Sequence, residues 1–341
     1  MTRTAAFIAA SALGLVLVIA LVLLAFGFPV GPSLVILWDG AFGSPSAVSR
    51  TFVRFMPILL AALGIMIAWR ASMFNIGGEG QLIVGLMFGA AFYKFLGFLP
   101  PALVTFGILV FCALGGAFWG AIAGALQAYR GVQVVISTIL MNFTALQLLG
   151  WAVSGPLQQA NGQLPLSDRL PREVMFYRWN PQMDLHAGLI LCLLLIPAVW
   201  FILYRTTWGF QFRLFGQNPK LAPIAKFSPP KVQISVMAIS GALCGLAGAM
   251  SYLGVTGQIG TSSAQDWGFI AIPVAIIGGL QPLGTAFSSL FFASLYAGSD
   301  NLARFQQGGQ TIVYVVQGIA VLGYAAFWAW NRRLLRREAV S

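Results

Sequence analysis

Apolar stretches long enough to cross a lipid bilayer recur along this chain, separated by loops that hold most of its charge. A membrane-spanning helix takes about 20 such residues. No soluble core could absorb so much apolar surface: of 341 residues, 59% are hydrophobic and 8% charged, against about 25% charged in an ordinary soluble domain. The chain therefore reads as an all-α polytopic membrane protein with about ten transmembrane helices. A membrane β-barrel would show in/out alternation, which these unbroken runs lack.

The expected spans are 5–28, 51–69, a third ending at Phe98, then 102–128, 133–154, 186–204, 232–255, 267–280, 283–299 and 311–330. The first run exceeds the 7–15 apolar residues of a signal peptide and is expected to be retained as a helix. Pro29 to about Ser49, punctuated by Gly and Pro, reads as a loop. Two polar insertions stand out, 155–184 with mixed charges and 205–231 with five basic residues and no acidic one. Basic loop residues favour the cytoplasmic side. With both termini inside, that side receives Arg3, Arg70, Arg130, the insertion 205–231 and the arginines of the tail 331–341, while 155–184 lies outside. The net charge of +11, a nucleic-acid signal in a soluble protein, is here an orientation signal.

Two spans carry small residues at four-residue spacing: Cys112, Gly116, Gly120 and Gly124 on one, Met237, Gly241, Gly245 and Ala249 on the other. That pattern lets membrane helices approach closely. Cys112, Cys192 and Cys244 show neither pairing nor metal-ligand spacing and read as packing residues. The single histidine, His186, excludes motifs that need two. No lysine follows a glycine in a P-loop frame, so the chain cannot hydrolyse ATP by itself.

The run Phe74-Asn75-Ile76-Gly77-Gly78-Glu79-Gly80-Gln81 interrupts the apolar pattern with three glycines, polar amides and a carboxylate. An ionisable group at membrane depth is costly, and irregular backbone there must be buried in protein or line a wet cavity. This predicts a broken helix beside a solute path. Asn75, Glu79 and Gln81 either line that path or act as internal glue, with Glu79 satisfying freed backbone N–H groups or pairing with a basic residue. Asn142, inside span five, has the same two readings.

Residues 70–81 closely resemble the Phe-Asn-Ile-Gly-x-Glu-Gly-Gln signature of nucleoside/simple-sugar ABC importer permeases, within the branched-chain amino acid and ribose permease superfamily. The resemblance continues in family order through 131–143, Ser154-Gly155-Pro156-Leu157, 207–213, Gly216-Gln217-Asn218-Pro219 and 276–284. It implies a type II ABC importer transmembrane domain in a bacterial cytoplasmic membrane, moving cargo by alternating access. Its implied partners are a paralogous permease, a cytoplasmic ABC ATPase and an extracytoplasmic solute-binding protein. The chain would bind no cofactor, ATP being used by the ATPase. Nucleosides are the expected cargo; a sugar or vitamin is the alternative within the class, and an ion-coupled secondary carrier the alternative outside it. The resemblance also makes 205–231 a coupling segment seated on the ATPase, with Arg213, Gly216, Asn218, Pro219 and Ala222 as its marked positions; the other reading is a basic loop bound to anionic lipid. Asn218 and Pro219 suit a helix start, whereas Pro223 and Lys226-Phe227 depart from the family pattern.

Overall fold

The computed structural model describes residues 17, 19–160, 162, 164–305, 311, 314–316 and 318–319. Regular structure among them is helical, with isolated antiparallel bridges pairing Gln158 with Ser167, Leu166 with Gly260 and Arg178 with His186. After helical residues 19–25, the helices are α1 (Val30–Phe42), α2 (Pro45–Arg70), α3 (Gly78–Leu96), α4 (Pro101–Arg130), α5 (Val134–Val153), α6 (Gly188–Arg205), α7 (Thr207–Gln217), α8 (Pro229–Ser251), α9 (Trp267–Ile277) and α10 (Pro282–Phe305). A π-helical turn, Tyr252–Thr256, closes α8, and 3₁₀ turns occupy Pro219–Leu221 and Thr261–Ser263. Among the described residues five helices are long and apolar enough to cross a membrane: α2, α4, α5, α6, and α8 with its π-helical turn. The all-helical expectation holds, and α3, α9 and α10 occupy the expected third, eighth and ninth spans. Expected span 5–28 is described only from residue 17, span 311–330 only at scattered positions, and the tail 331–341 lies outside the described residues.

One expectation fails. The stretch 29–49 is not a loop: α1 fills most of it, and α2 begins at Pro45. Gly31 and Pro32 fall in the first turn of α1, where a missing N–H costs nothing. Gly43 ends the helix, its N–H donating to the Asp39 carbonyl at 3.1 Å.

The chain divides into two compact units, one of Met1–Thr51 with Phe291–Ser341, the other Phe52–Leu290. In the first, α1 packs on the C-terminal part of α10 through Gly40 and Gly298, where any Cβ would meet the opposing backbone. Asn301 Nδ2 donates to the Ile36 carbonyl at 3.1 Å, and Ile19, Val22, Leu23, Leu37, Leu295, Leu302 and Val316 form its core.

The second unit is built around α2, buried without a break from residue 55 to residue 68. The two small-residue ladders of the sequence pack against one another. Cys112 faces Gly245, Gly116 faces Gly241, Gly120 faces Met237 and Gly124 faces Gln233, so α4 and α8 run antiparallel with backbones in contact. Gly85 brings α3 against both at Cys112 and Gly245, and Gly64 sets α2 on the Ser240 carbonyl. Such contact replaces the hydrophobic drive that lipid removes between membrane helices. Leu114 and Phe118 on α4, Leu140 and Phe143 on α5, and Leu194 and Phe201 on α6 remain exposed, as lipid-facing positions require.

Candidate functional site

The break begins where α2 ends. Ser72 adopts φ 56°, reversing the chain, and Trp69 Nε1 donates to the Asn75 carbonyl at 3.2 Å. Asn75 is fully buried. Its Oδ1 accepts from Gly77 N at 2.8 Å, a local bond that sets the turn before α3. It also accepts from Gln81 Nε2 at 3.2 Å, while Asn75 Nδ2 donates to Gln81 Oε1 and to Ser240 Oγ, each at 2.9 Å. Asn75 and Gln81 thus form a reciprocal amide pair across the first turn of α3, tied to α8.

Asn142 completes this first turn from α5. Its Oδ1 accepts from Gly80 N at 2.8 Å and its Nδ2 donates to the Ile76 carbonyl at 2.9 Å. Thr138 Oγ1 accepts from Ile76 N at 3.3 Å. The glycines of the motif have separate neighbours: Gly77 abuts Thr138, Gly78 abuts Gly268, and Gly80 abuts Asn142 and Trp119. Any side chain at these points would push α3 away from α5 or α9.

Glu79 is 3% exposed and points away from this amide cluster. Its Oε2 accepts from Gly268 N at 2.8 Å and its Oε1 from Asp266 N at 3.1 Å, so the carboxylate caps the start of α9. The opening N–H groups of a helix have no partner within it, and a negative charge there is favoured by the helix dipole. Glu79 also lies in the first turn of α3. Two helix N-termini therefore converge on one carboxylate, the device by which broken membrane helices hold an anionic group.

The other end of α9 is held from the same segment. Arg70, the last residue of α2, donates from Nε to the Leu280 carbonyl at 2.7 Å, just beyond the end of α9. An acid at the N-terminal end and a base at the C-terminal end both complement the dipole of this 11-residue helix. Sequence reasoning missed Arg70 and Gly268. An arginine closing the apolar run 56–69 was the signal for the first; the second carried none beyond a glycine one residue into a helix.

The positions marked for coupling gather around Arg70. Its Nη2 donates to Tyr204 Oη at 3.1 Å, and the Arg213 guanidinium lies 5.1 Å from the Tyr204 ring centre. Gly216 packs on the Arg70 and Ala71 backbone, and its carbonyl accepts from Ser72 Oγ at 2.7 Å. Asn218 caps as expected, Oδ1 accepting from Lys220 N at 3.1 Å. The helix it starts lasts only the 3₁₀ turn Pro219–Leu221, because Pro223 brings no N–H and Lys226 turns to φ 55°. Ala222 is buried; Asn218, Pro219 and Pro223 to Lys226 are exposed, with Ile224 75% exposed. Helical length in this segment comes instead from α7, capped by Thr206 Oγ1 accepting from Gly209 N at 3.2 Å.

The insertion 155–184 stands at the opposite end of α6. It is laced to the end of α8 and the loop that follows: Phe176 N donates to the Leu253 carbonyl at 2.9 Å, Leu170 N to that of Gly257 at 2.7 Å, and Ser167 N to that of Ile259 at 2.9 Å. Arg178 pairs with Asp184 at 3.0 Å and donates to the Gly254 carbonyl at 3.0 Å. His186 stacks on Phe176 with ring centres 5.2 Å apart, and its Nδ1 accepts from Gly188 N at 3.2 Å. Burial, and secondarily the charge of Arg178, push His186 down to about 4.

Over residues 47–325 the chain matches the family described as branched-chain amino acid transport system, permease component. It is 34% identical to a guanosine ABC transporter permease, NupP, of Bacillus subtilis (strain 168), over 91% of this chain and 90% of the relative. A glucose ABC transporter permease, TsgB13, of Haloferax volcanii is 29% identical over 82% of this chain and 76% of the relative. A second guanosine permease of the same Bacillus, NupQ, is 28% identical over 72% of this chain and 79% of the relative. No solved structure matches the chain. A buried bundle interrupted at one polar break is the architecture a membrane conduit needs, and with a match running through every helix from α2 to α10, the chain belongs to the branched-chain amino acid transport system permease component family.

Proposed function

We propose that this chain is one of two paired permease subunits of an ATP-driven importer that carries nucleosides through a bacterial cytoplasmic membrane. The observation that carries the mechanism is the double grip on α9, Glu79 at its start and Arg70 at its end, with Gly216 of the segment 205–231 packed on the Arg70 backbone and Arg213 on the ring of Tyr204, the residue that Arg70 also bonds. A cytoplasmic ATPase docks on the exposed residues of that segment and moves them. Displacement of Gly216 and Arg213 acts through Ser72, Tyr204 and Arg70 on the C-terminal end of α9. Because α9 is short and held at both ends, it shifts as a unit and carries the movement to Glu79. Asn75, Gln81 and Asn142 spend their hydrogen bonds on the break itself. We assign them, with Glu79, the task of shaping the wall of the path rather than binding solute tightly. An extracytoplasmic binding protein delivers the solute at the end marked by 155–184. The bias of basic residues supports this orientation, with both termini in the cytoplasm.

The nucleoside assignment rests on two relatives named for guanosine. That both come from one organism supports a paralogous pair. A sugar is the second reading, favoured by the relative named for glucose. The test is uptake into proteoliposomes holding this chain, its paired permease and the ATPase, supplied with binding protein. Radiolabelled guanosine should accumulate when ATP is present and continue after an uncoupler. Accumulation driven by an ion gradient without ATP would replace the importer reading with a secondary carrier, and uptake of glucose alone would replace the cargo.

A further inference from the structure

A cavity of about 380 Å³ opens where the insertion 155–184 meets the loop between α8 and α9. Arg169, Thr256, Gln258, Ser262, Ser263 and Gln265 line it, with Leu166 as its apolar side chain. Its size falls within the range of small-molecule sites, roughly 300–1,000 Å³. Its walls are fixed by bonds that engage part of the lining, Thr256, Ser263 and Gln265 Oε1, and among the described residues leave the side chains of Arg169, Gln258 and Ser262 for a ligand. Ser167 Oγ accepts from Ile259 N and Ser263 Oγ from Gly260 N, each at 3.0 Å, while Leu166 bridges Gly260. Trp267 Nε1 donates to Gln265 Oε1 at 2.9 Å, orienting the amide and leaving its N–H₂ group to donate. The next residues, Asp266 to Gly268, are those held by Glu79, so the pocket wall and the capped start of α9 are one continuous piece of chain.

The lining specifies a class of ligand. It combines a guanidinium, three hydroxyls and two amides, with no carboxylate and no aromatic ring. Amides and hydroxyls both donate and accept, and a guanidinium presents parallel donors that reach two adjacent oxygens. A planar base would want a stacking face, which the lining lacks. A neutral vicinal diol suits it. We propose that this cavity is a receiving station for the pentose of the nucleoside, where Arg169 donates to the two ring hydroxyls while the base stays outside the pocket. The inference rests on the proposed cargo, and the following experiment separates the two.

Cys112, Cys192 and Cys244 are all buried, so a single cysteine introduced by Ser262→Cys, at an exposed position, reports on the pocket. The assembled transporter in lipid nanodiscs is treated with a membrane-impermeant maleimide, and labelling of residue 262 is followed by mass spectrometry. Inosine and D-ribose should each slow labelling at least threefold, hypoxanthine should not, and Arg169→Ala should abolish the protection. Absence of labelling without ligand would show the cavity closed to solvent and overturn the proposal, as would equal protection with and without Arg169. Protection by hypoxanthine alone would overturn the pentose assignment. If ribose protects but nucleosides are not taken up, the pocket stands and the cargo falls; if nucleosides are taken up without protection, the pocket alone falls.

Discussion

Glu79 shows how a carboxylate can sit inside a membrane bundle on backbone donors. Its two oxygens accept from the opening N–H groups of α9, and charge-assisted bonds of this kind are stronger than neutral ones. In Glu79→Gln one of those N–H groups would face an amide donor. The expected loss is about 2 kcal/mol of stability, seen as a lower unfolding temperature in detergent, together with slower ATP-driven uptake; unchanged values of both would remove Glu79 from the mechanism. His186 supplies a pH dependence. Its folded-state value of about 4 lies below the usual 6.5, so the unfolded chain takes up a proton that the folded chain refuses. The stability it contributes is present above pH 6.5 and is lost as pH falls from 6.5 toward 4, by about 3 kcal/mol in all. Thermal unfolding between pH 7.5 and 4.5 should show this slope, and His186→Asn should flatten it.

Among elements, the pairing of α4 with α8 is the most demanding, because Gly116 and Gly241 leave no room for a side chain on either helix. Gly116→Leu should therefore cost about 2 kcal/mol or more, measurable as loss of folded protein after mild heating, whereas Leu114→Ala on the exposed side of α4 should not. Both ladders were legible in the sequence because a four-residue repeat of small residues has one dominant use in a membrane helix. The break at 74–81 was legible for a similar reason: three glycines and a carboxylate have no place in an uninterrupted apolar helix. The helix α1 was not, since Gly31, Pro32, Gly40 and Gly43 look like loop punctuation until Gly40 is seen against α10. Backbone N–H groups were one expected partner of Glu79, but which ones was not legible. A backbone N–H carries no sequence signature, and Asp266 and Gly268 lie 187 and 189 residues away along the chain.

For the whole molecule, the proposed transmission predicts a separable defect at the ATPase contact. Gly216 is a poor position to test it, since a larger side chain there would disturb Arg70 and Ala71 within this chain. Ile224 is better, being 75% exposed. Ile224→Asp should leave the purified chain as stable as before and reduce the ATPase recovered with it at least tenfold, equivalent to about 1.4 kcal/mol of binding. Full recovery of the ATPase would move the contact elsewhere. The shortness of α9 has one more consequence. Eleven helical residues span only about 16 Å, roughly half the hydrocarbon thickness of about 30 Å. By itself α9 therefore cannot cross a bilayer, and a crossing at this point of the bundle has to be completed by the irregular chain adjoining it, sheltered by the neighbouring helices.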